Sequence, residues 1–165
     1  MIRIGKYVIG RLDVAGGALT YGNRIALGDI FSDGNRTEYR RLKDAFRELH
    51  GYSCRLLPPG PRMRAFERIV TGLSVWVDKE RTLLHYEPSA DETAAGIREL
   101  SRRVGNFSTI KALAKAYGRD PDEVLRWDYA KVFGILYTDL EEHKFERRYA
   151  EVIHDKHTGR YKGRA

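Results

Sequence analysis

The side chains able to do chemistry are few and scattered. The single cysteine, Cys54, stands four residues after His50, close enough to ask whether an imidazole activates a thiol. A nucleophilic thiolate needs its pKa lowered by a neighbouring base or a helix N-terminus. The adjacent Leu56 and Leu57 suit a partly buried, unreactive thiol instead. One cysteine also rules out an intrachain disulfide. His154 and His157 are three apart and can share a helical face, but two ligands without an acidic or third histidine partner make a poor zinc site. Asp139, Glu141 and Glu142 could be assembled into a carboxylate site. Followed by Lys144, Arg147 and Arg148, they read better as ion pairs on a helix surface. Gly5, Gly10, Gly16, Gly17 and Gly22 do not form a dinucleotide fingerprint, and no phosphate-loop run is present. These patterns predict no catalytic residue, no metal and no cofactor, hence a protein that is not an enzyme.

A second kind of chemistry is phosphate binding. Residues 110–127 have the rhythm of a helix-turn-helix: a helix, Gly118, then a second helix started by Asp120 and Pro121. Lys111, Lys115, Arg119 and Arg126 supply cations for a DNA backbone. Asp122 and Glu123 would stand at the reading end of that second helix and repel it. DNA binding is therefore the alternative reading, not the first. No aromatic-basic pattern of an RNA-recognition motif is visible.

Composition sets the frame that must position such groups. The chain has 165 residues, 42% apolar and 32% charged, enough for a buried core in one domain or two small helical ones. The formal charge is +7, but acids are interleaved with the bases along most of the chain, as on solvated helix faces. Residues 1–10 lack an apolar run long enough for a signal peptide. No stretch approaches the roughly 20 apolar residues that span a bilayer. The expectation is a cytoplasmic protein without a membrane partner.

The elements follow from periodicity. The β-branched and glycine-containing segment 2–12 predicts extended structure or a hairpin, followed by a flexible connection around Gly16-Gly17. A short helix is expected over 23–31. Tyr39, Leu42, Phe46 and Leu49 share a helical face that stops at Gly51. After Pro58-Pro59-Gly60, Pro61 is expected as the first residue of a long helix to about Leu84. In that helix Met63, Val70, Val77 and Leu84, then Ile69, Trp76 and Leu83, then Phe66 and Leu73, repeat at seven-residue spacing and make a broad apolar face. Ser89 and Glu92 form a capping box for a helix that turns Ile97, Leu100 and Val104 inward and stops near Gly105. Ser108 is expected to cap the next, with Ile110, Leu113, Ala114 and Tyr117 inward and Gly118 as its stop. A short helix from Pro121 carries Val124 and Leu125. In the last helix Tyr129, Val132, Phe133, Leu136, Tyr137 and Leu140 lie on one face. Beyond them Phe145, Tyr149, Val152 and Ile153 fall roughly opposite. A kink near Thr138-Asp139, burial on both sides, or a distal half that docks on another molecule would each account for this. The fold class is mainly α, a helical bundle with a small N-terminal β element. Its expected parts are residues 1–86, residues 89–154 and a basic, mobile tail over 155–165.

The segment Leu113-Ala114-Lys115-Ala116-Tyr117-Gly118-Arg119-Asp120-Pro121-Asp122-Glu123-Val124-Leu125-Arg126-Trp127, followed by Tyr129-Ala130-Lys131-Val132-Phe133, resembles tail assembly chaperones of long-tailed bacteriophages and prophages. Gly5-Lys6-Tyr7-Val8 and Arg24-Ile25-Ala26-Leu27-Gly28-Asp29-Ile30-Phe31 are similar in character to the start of such proteins. The resemblance implies a non-enzymatic helical protein of the bacterial host cytoplasm. It would bind the tape measure protein, recruit tail tube subunits and be absent from the finished virion. The contacts it would use for clients, or for a homo-oligomer, are Tyr129, Val132, Phe133 and Leu136, or Phe145, Tyr149 and Val152. The opposing reading of each is an ordinary core position.

Overall fold

The computed structural model describes residues 19–158, together with the backbone of 2–4 and 7–9. The fold is mainly α. Within 19–158 run α1 (Tyr21–Ser32), α2 (Glu38–His50), a 3-10 turn (Cys54–Leu56), α3 (Pro59–Leu83), α4 (Ala90–Ala94), α5 (Ile97–Val104), α6 (Asn106–Tyr117), α7 (Pro121–Leu125) and α8 (Tyr129–His157). At the N-terminus β1 (Ile2–Ile4) and β2 (Tyr7–Ile9) pair antiparallel with Ile2 opposite Ile9. A lone two-stranded ribbon that short is marginal, so it does not establish the small β element expected there. The Gly16-Gly17 connection lies outside the described residues.

Helix boundaries follow local chemistry. Thr20, Thr37, Ser89, Asp120 and Asp128 each accept a hydrogen bond from a first-turn backbone N–H, which satisfies donors that have no partner inside the helix. Gly51 and Gly118 end α2 and α6 at φ of 71° and 59°, where a Cβ would be strained. Two starts differ from expectation. Helix α3 begins at Pro59, not Pro61, because the first-turn N–H groups are unbonded anyway and proline is tolerated there. Helix α6 begins at Asn106 behind Gly105, and the Ser108 hydroxyl donates back to the Gly105 carbonyl instead of capping. The expected single helix after Ser89 is two, parted by Gly96 at φ 84°. Helix α8 continues to His157, three residues into the expected tail, and 159–165 lie outside the described residues.

One apolar cluster joins the start of the described chain to the first turns of α8. Phe46, Cys54, Phe66 and Ile69 pack with Leu27 from α1, and Trp76, Val124, Tyr129 and Val132 continue the same cluster into α7 and α8. Aromatic rings knit it: Phe46 meets Tyr52 at 5.3 Å and Phe66 at 6.4 Å, while Trp76 meets Tyr129 at 4.9 Å and Phe133 at 5.5 Å. The backbone adds a clasp. Tyr21 N–H donates to the Trp127 carbonyl (2.9 Å) and Tyr129 N–H to the Leu19 carbonyl (2.8 Å), so the entries of α1 and α8 hold each other.

The broad face of α3 divides. Phe66, Ile69, Leu73 and Trp76 are buried, whereas Met63, Val70, Val77 and Leu83 are exposed. Seven-residue rows drift around a helix of 3.6 residues per turn, and the core covers only some of them. Helix α5 departs further: no residue in it is buried, and Leu100 and Val104, expected inward, face solvent. Tyr117 is also exposed, although its ring meets the edge of Trp127 at 5.4 Å.

The capping box of α4 carries a pH signature. Glu92 accepts from the Tyr86 hydroxyl and the Ser89 backbone N–H, and these bonds hold its pKa at about 2, below the ordinary carboxylate range. A carboxylate with a depressed folded pKa stabilises the fold above its unfolded value, and that contribution is lost as pH falls toward the folded value. Unfolding profiles of Glu92→Gln and the parent are therefore expected to converge between pH 4.5 and about 2. Parallel profiles across that window would refute the assignment.

Candidate functional site

Three kinds of surface remain once the core is assembled: a polar knot, two clefts beside α6, and uncovered apolar faces. The knot lies where α1, α3 and α8 meet. Arg24 donates to Glu80 through Nε (2.7 Å) and a terminal nitrogen (2.5 Å), and the Tyr129 hydroxyl donates to Glu80 Oε1 (2.5 Å). Both charged side chains are mostly withdrawn from water, at 17% and 22% exposure. A two-point guanidinium–carboxylate pair in that setting is both strong and orienting. Burial, with Glu80 adding to it, pushes the Tyr129 phenol far above its ordinary range, and burial also raises Tyr21. Tyr21 and Tyr129 stack at 6.1 Å. A phenol locked in its neutral form beside a paired carboxylate positions helices; it is a poor acid and no nucleophile.

The knot forms one wall of a cleft of about 320 Å³ lined by Tyr21, Arg24, Asp29, Glu80, Asn106 and Tyr129. A second, of about 450 Å³, runs between α6 and α8 along Ala112, Leu113, Ala116, Tyr117, Ile135 and Leu136. Thr109 and Leu136 border both. The sequence reading missed this region because Arg24, Glu80 and Tyr129 are far apart in the chain. The one available signal was that charged Glu80 falls between Trp76 and Leu83 on the apolar side of α3.

The first set of expected contact residues lies in or against the core. Tyr129 and Val132 are buried, and Phe133 and Leu136 pack on the cluster. The second set is at the surface. Helix α8 runs uninterrupted from Tyr129 to His157, about 43 Å at 1.5 Å per residue. Phe145 and Tyr149 are 62% and 58% exposed with their rings stacked at 6.2 Å, and Val152 is exposed beside them. The inner side of the same stretch meets the 86–92 segment: Tyr86 packs against His143, and Arg147 reaches Glu92 and the Glu87 carbonyl.

The phosphate-binding candidates are exposed: Lys111 and Lys115 on α6, Arg119 in the turn before α7 and Arg126 at its C-terminal cap. Helix α7 is five residues long, carries Asp122 and Glu123 in its first turn and buries Val124. Gly22 fits it closely, since a Cβ there would stand 3.1 Å from the Leu125 carbonyl oxygen. A helix so short and so tightly held against α1 has little length to lay in a groove.

Cys54 is fully buried. The His50 ring lies on Phe46 at 4.2 Å, its Nε2 is buried without a hydrogen-bond partner, and burial lowers its pKa. Among the described residues no hydrogen bond joins the imidazole to the thiol. Asp139 and Glu142 are exposed, and Glu141 pairs with Lys144 at 2.8 Å. Among the described residues no three His, Cys, Asp or Glu side chains gather to hold a metal, and no helix is long and apolar enough to cross a membrane. No family model matches the chain, and no curated protein or solved structure is significantly similar to it.

Proposed function

We propose that this chain is a non-enzymatic, protein-binding chaperone of the phage tail assembly kind. Its client is the tape measure protein, and it recruits tail tube subunits in the host cytoplasm without entering the finished virion. The observation that carries the reading is the stacked, solvent-facing Phe145–Tyr149 pair on the outer side of α8. Two adjacent aromatic side chains held on a rigid helix are the kind of anchor that dominates protein interfaces. Leaving them in water forgoes roughly 1.5–3 kcal/mol each. A small β element near Gly5-Lys6-Tyr7-Val8 belongs to the same proposal.

The test is co-expression with the tape measure protein encoded in the same genome. The parent chain is expected to raise its soluble yield and to co-purify with it. The double variant Phe145→Asp, Tyr149→Asp is expected to lose both effects while keeping its helical circular dichroism. Absence of a tape measure gene, or an equal yield with the double variant, overturns the reading. Tight, sequence-selective DNA retention that disappears on Lys115→Glu, Arg119→Glu would favour the helix-turn-helix alternative.

A further inference from the structure

Helix α3 carries a row of large side chains that the core leaves in water. Met63 is 56% exposed, and Val70 and Val77 are 47% exposed each. Positions seven apart on an α-helix drift by only about 20°, so these three form one stripe along α3. Tyr39 of α2, also exposed, meets the edge of Phe66 at 6.2 Å, and Phe66 lies beside Met63 and Val70 on the helix. The two sides of the stripe differ. To one side stand Phe66, Ile69, Leu73 and Trp76, all buried. To the other stand Arg64, Glu67, Thr71, Ser74 and Asp78, all exposed. Arg64 has no carboxylate partner among the described residues. Asp78 meets Arg81 at 3.2 Å and remains mostly in water.

From this we infer that α3 is the interface of a two-fold dimer, in which the α3 helices of two copies of this chain pack antiparallel through the stripe. Charge and its order along the helix select a second copy as the occupant. A two-fold axis crossing α3 beside Val70 sets Met63 of each copy against Val77 of the other, and Val70 against itself. The same operation lays the charged side of one α3 along the charged side of the other, in reverse order. Arg64 then stands opposite Asp78 of the other copy, twice, and Glu67 opposite Ser74, so no like charges face each other. Arg81, at the end of the stripe, lies over the uncharged Pro59 and Gly60 of the other copy. A parallel arrangement lays the charged side of one copy along the buried side of the other and pairs neither. An unrelated helix would present this order of charges only by coincidence, whereas a second copy presents it necessarily. Covering six large apolar side chains supplies the attraction. The Arg64–Asp78 pairs set direction and register. The inference goes beyond the chaperone reading and does not depend on it.

The experiment measures the mass of the full chain by light scattering across a concentration series. The parent is expected to pass from monomer to dimer as concentration rises. Val70→Asp puts two carboxylates at the axis and is expected to raise the dissociation constant at least about tenfold, the size of a typical interface anchor, with circular dichroism unchanged. Val70→Ile, which keeps the stripe apolar, is expected to dimerise as the parent does. Arg64→Glu and Asp78→Lys are each expected to weaken the dimer, because like charges then face each other. Combined in one chain they restore opposite charges, and the dimer is expected to return. Val70→Cys is expected to cross-link to its counterpart under mild oxidation. Arg68→Cys, exposed on the far side of α3, is expected not to, and the buried Cys54 contributes to neither. The inference fails if the chain stays monomeric at its highest soluble concentration, or if Val70→Asp dimerises as the parent does. It also fails if the combined charge reversal does not recover the dimer, or if Arg68→Cys cross-links as readily as Val70→Cys. Loss of the dimer in Phe145→Asp, Tyr149→Asp would move the interface to α8 and overturn the inference as well.

Discussion

Glu80→Ala is expected to destabilise the fold by roughly 3 kcal/mol, read as a lower urea midpoint at unchanged slope. The substitution removes the carboxylate that Arg24 pairs with among the described residues and the acceptor of the Tyr129 hydroxyl in a single step. Arg24 then keeps its charge at 17% exposure with no counterion, and the phenol loses its acceptor under Trp76 and Phe133. Stranding a withdrawn charge costs more than a mean salt bridge gains, because the desolvation already incurred is no longer offset. The paired replacement Arg24→Met, Glu80→Met isolates that effect. It is expected to cost less than Glu80→Ala alone, since no charge is left behind. A loss below about 0.5 kcal/mol for Glu80→Ala would place the pair among ordinary surface bridges and would undo its role in fixing α1, α3 and α8.

The second large effect is expected at Phe46→Ala, at about 4 kcal/mol. Phe46 is completely buried and lies within ring-contact distance of His50, Tyr52 and Phe66. Truncation removes apolar burial and leaves a void that two helices and a 3-10 turn must close. Its neighbours are themselves rings, which cannot collapse by small rotamer changes. Phe145→Ala is the internal control. That ring has the same chemistry but is 62% exposed, so its loss is expected to move the urea midpoint little. Similar shifts for the two variants would show that burial in the structure is not what stabilises the fold.

Much of this fold could be read from local patterns because local physics decides it. The α2 face of Leu42, Phe46 and Leu49, its stop at Gly51, the Ser89–Glu92 box and the Asp120-Pro121 start all depend on residues within one or two turns. What periodicity could not decide is which apolar stripe another element would cover. Met63, Val70 and Val77 repeat as regularly as Ile69 and Trp76, yet only the latter row meets α1 and α8. The amphipathic pattern of α5 suits a core helix equally well, but no residue of it is buried in the described structure. The polar knot was the least legible part. Arg24 and Glu80 are 56 positions apart, and Glu80 and Tyr129 are 49 apart, and only the assembled core brings them into contact.

The lone thiol offers a use that its chemistry alone would not suggest. Cys54, in the 3-10 turn that links α2 to α3, has no accessible surface, so an alkylating reagent can reach it only when that part of the molecule opens. Its modification rate, followed by mass spectrometry under native conditions, therefore reports the opening equilibrium of the N-terminal half without any introduced label. Comparing that rate with the global urea transition would tell whether α2 and α3 come apart on their own or only when the clasp between Leu19 and Tyr129 lets go.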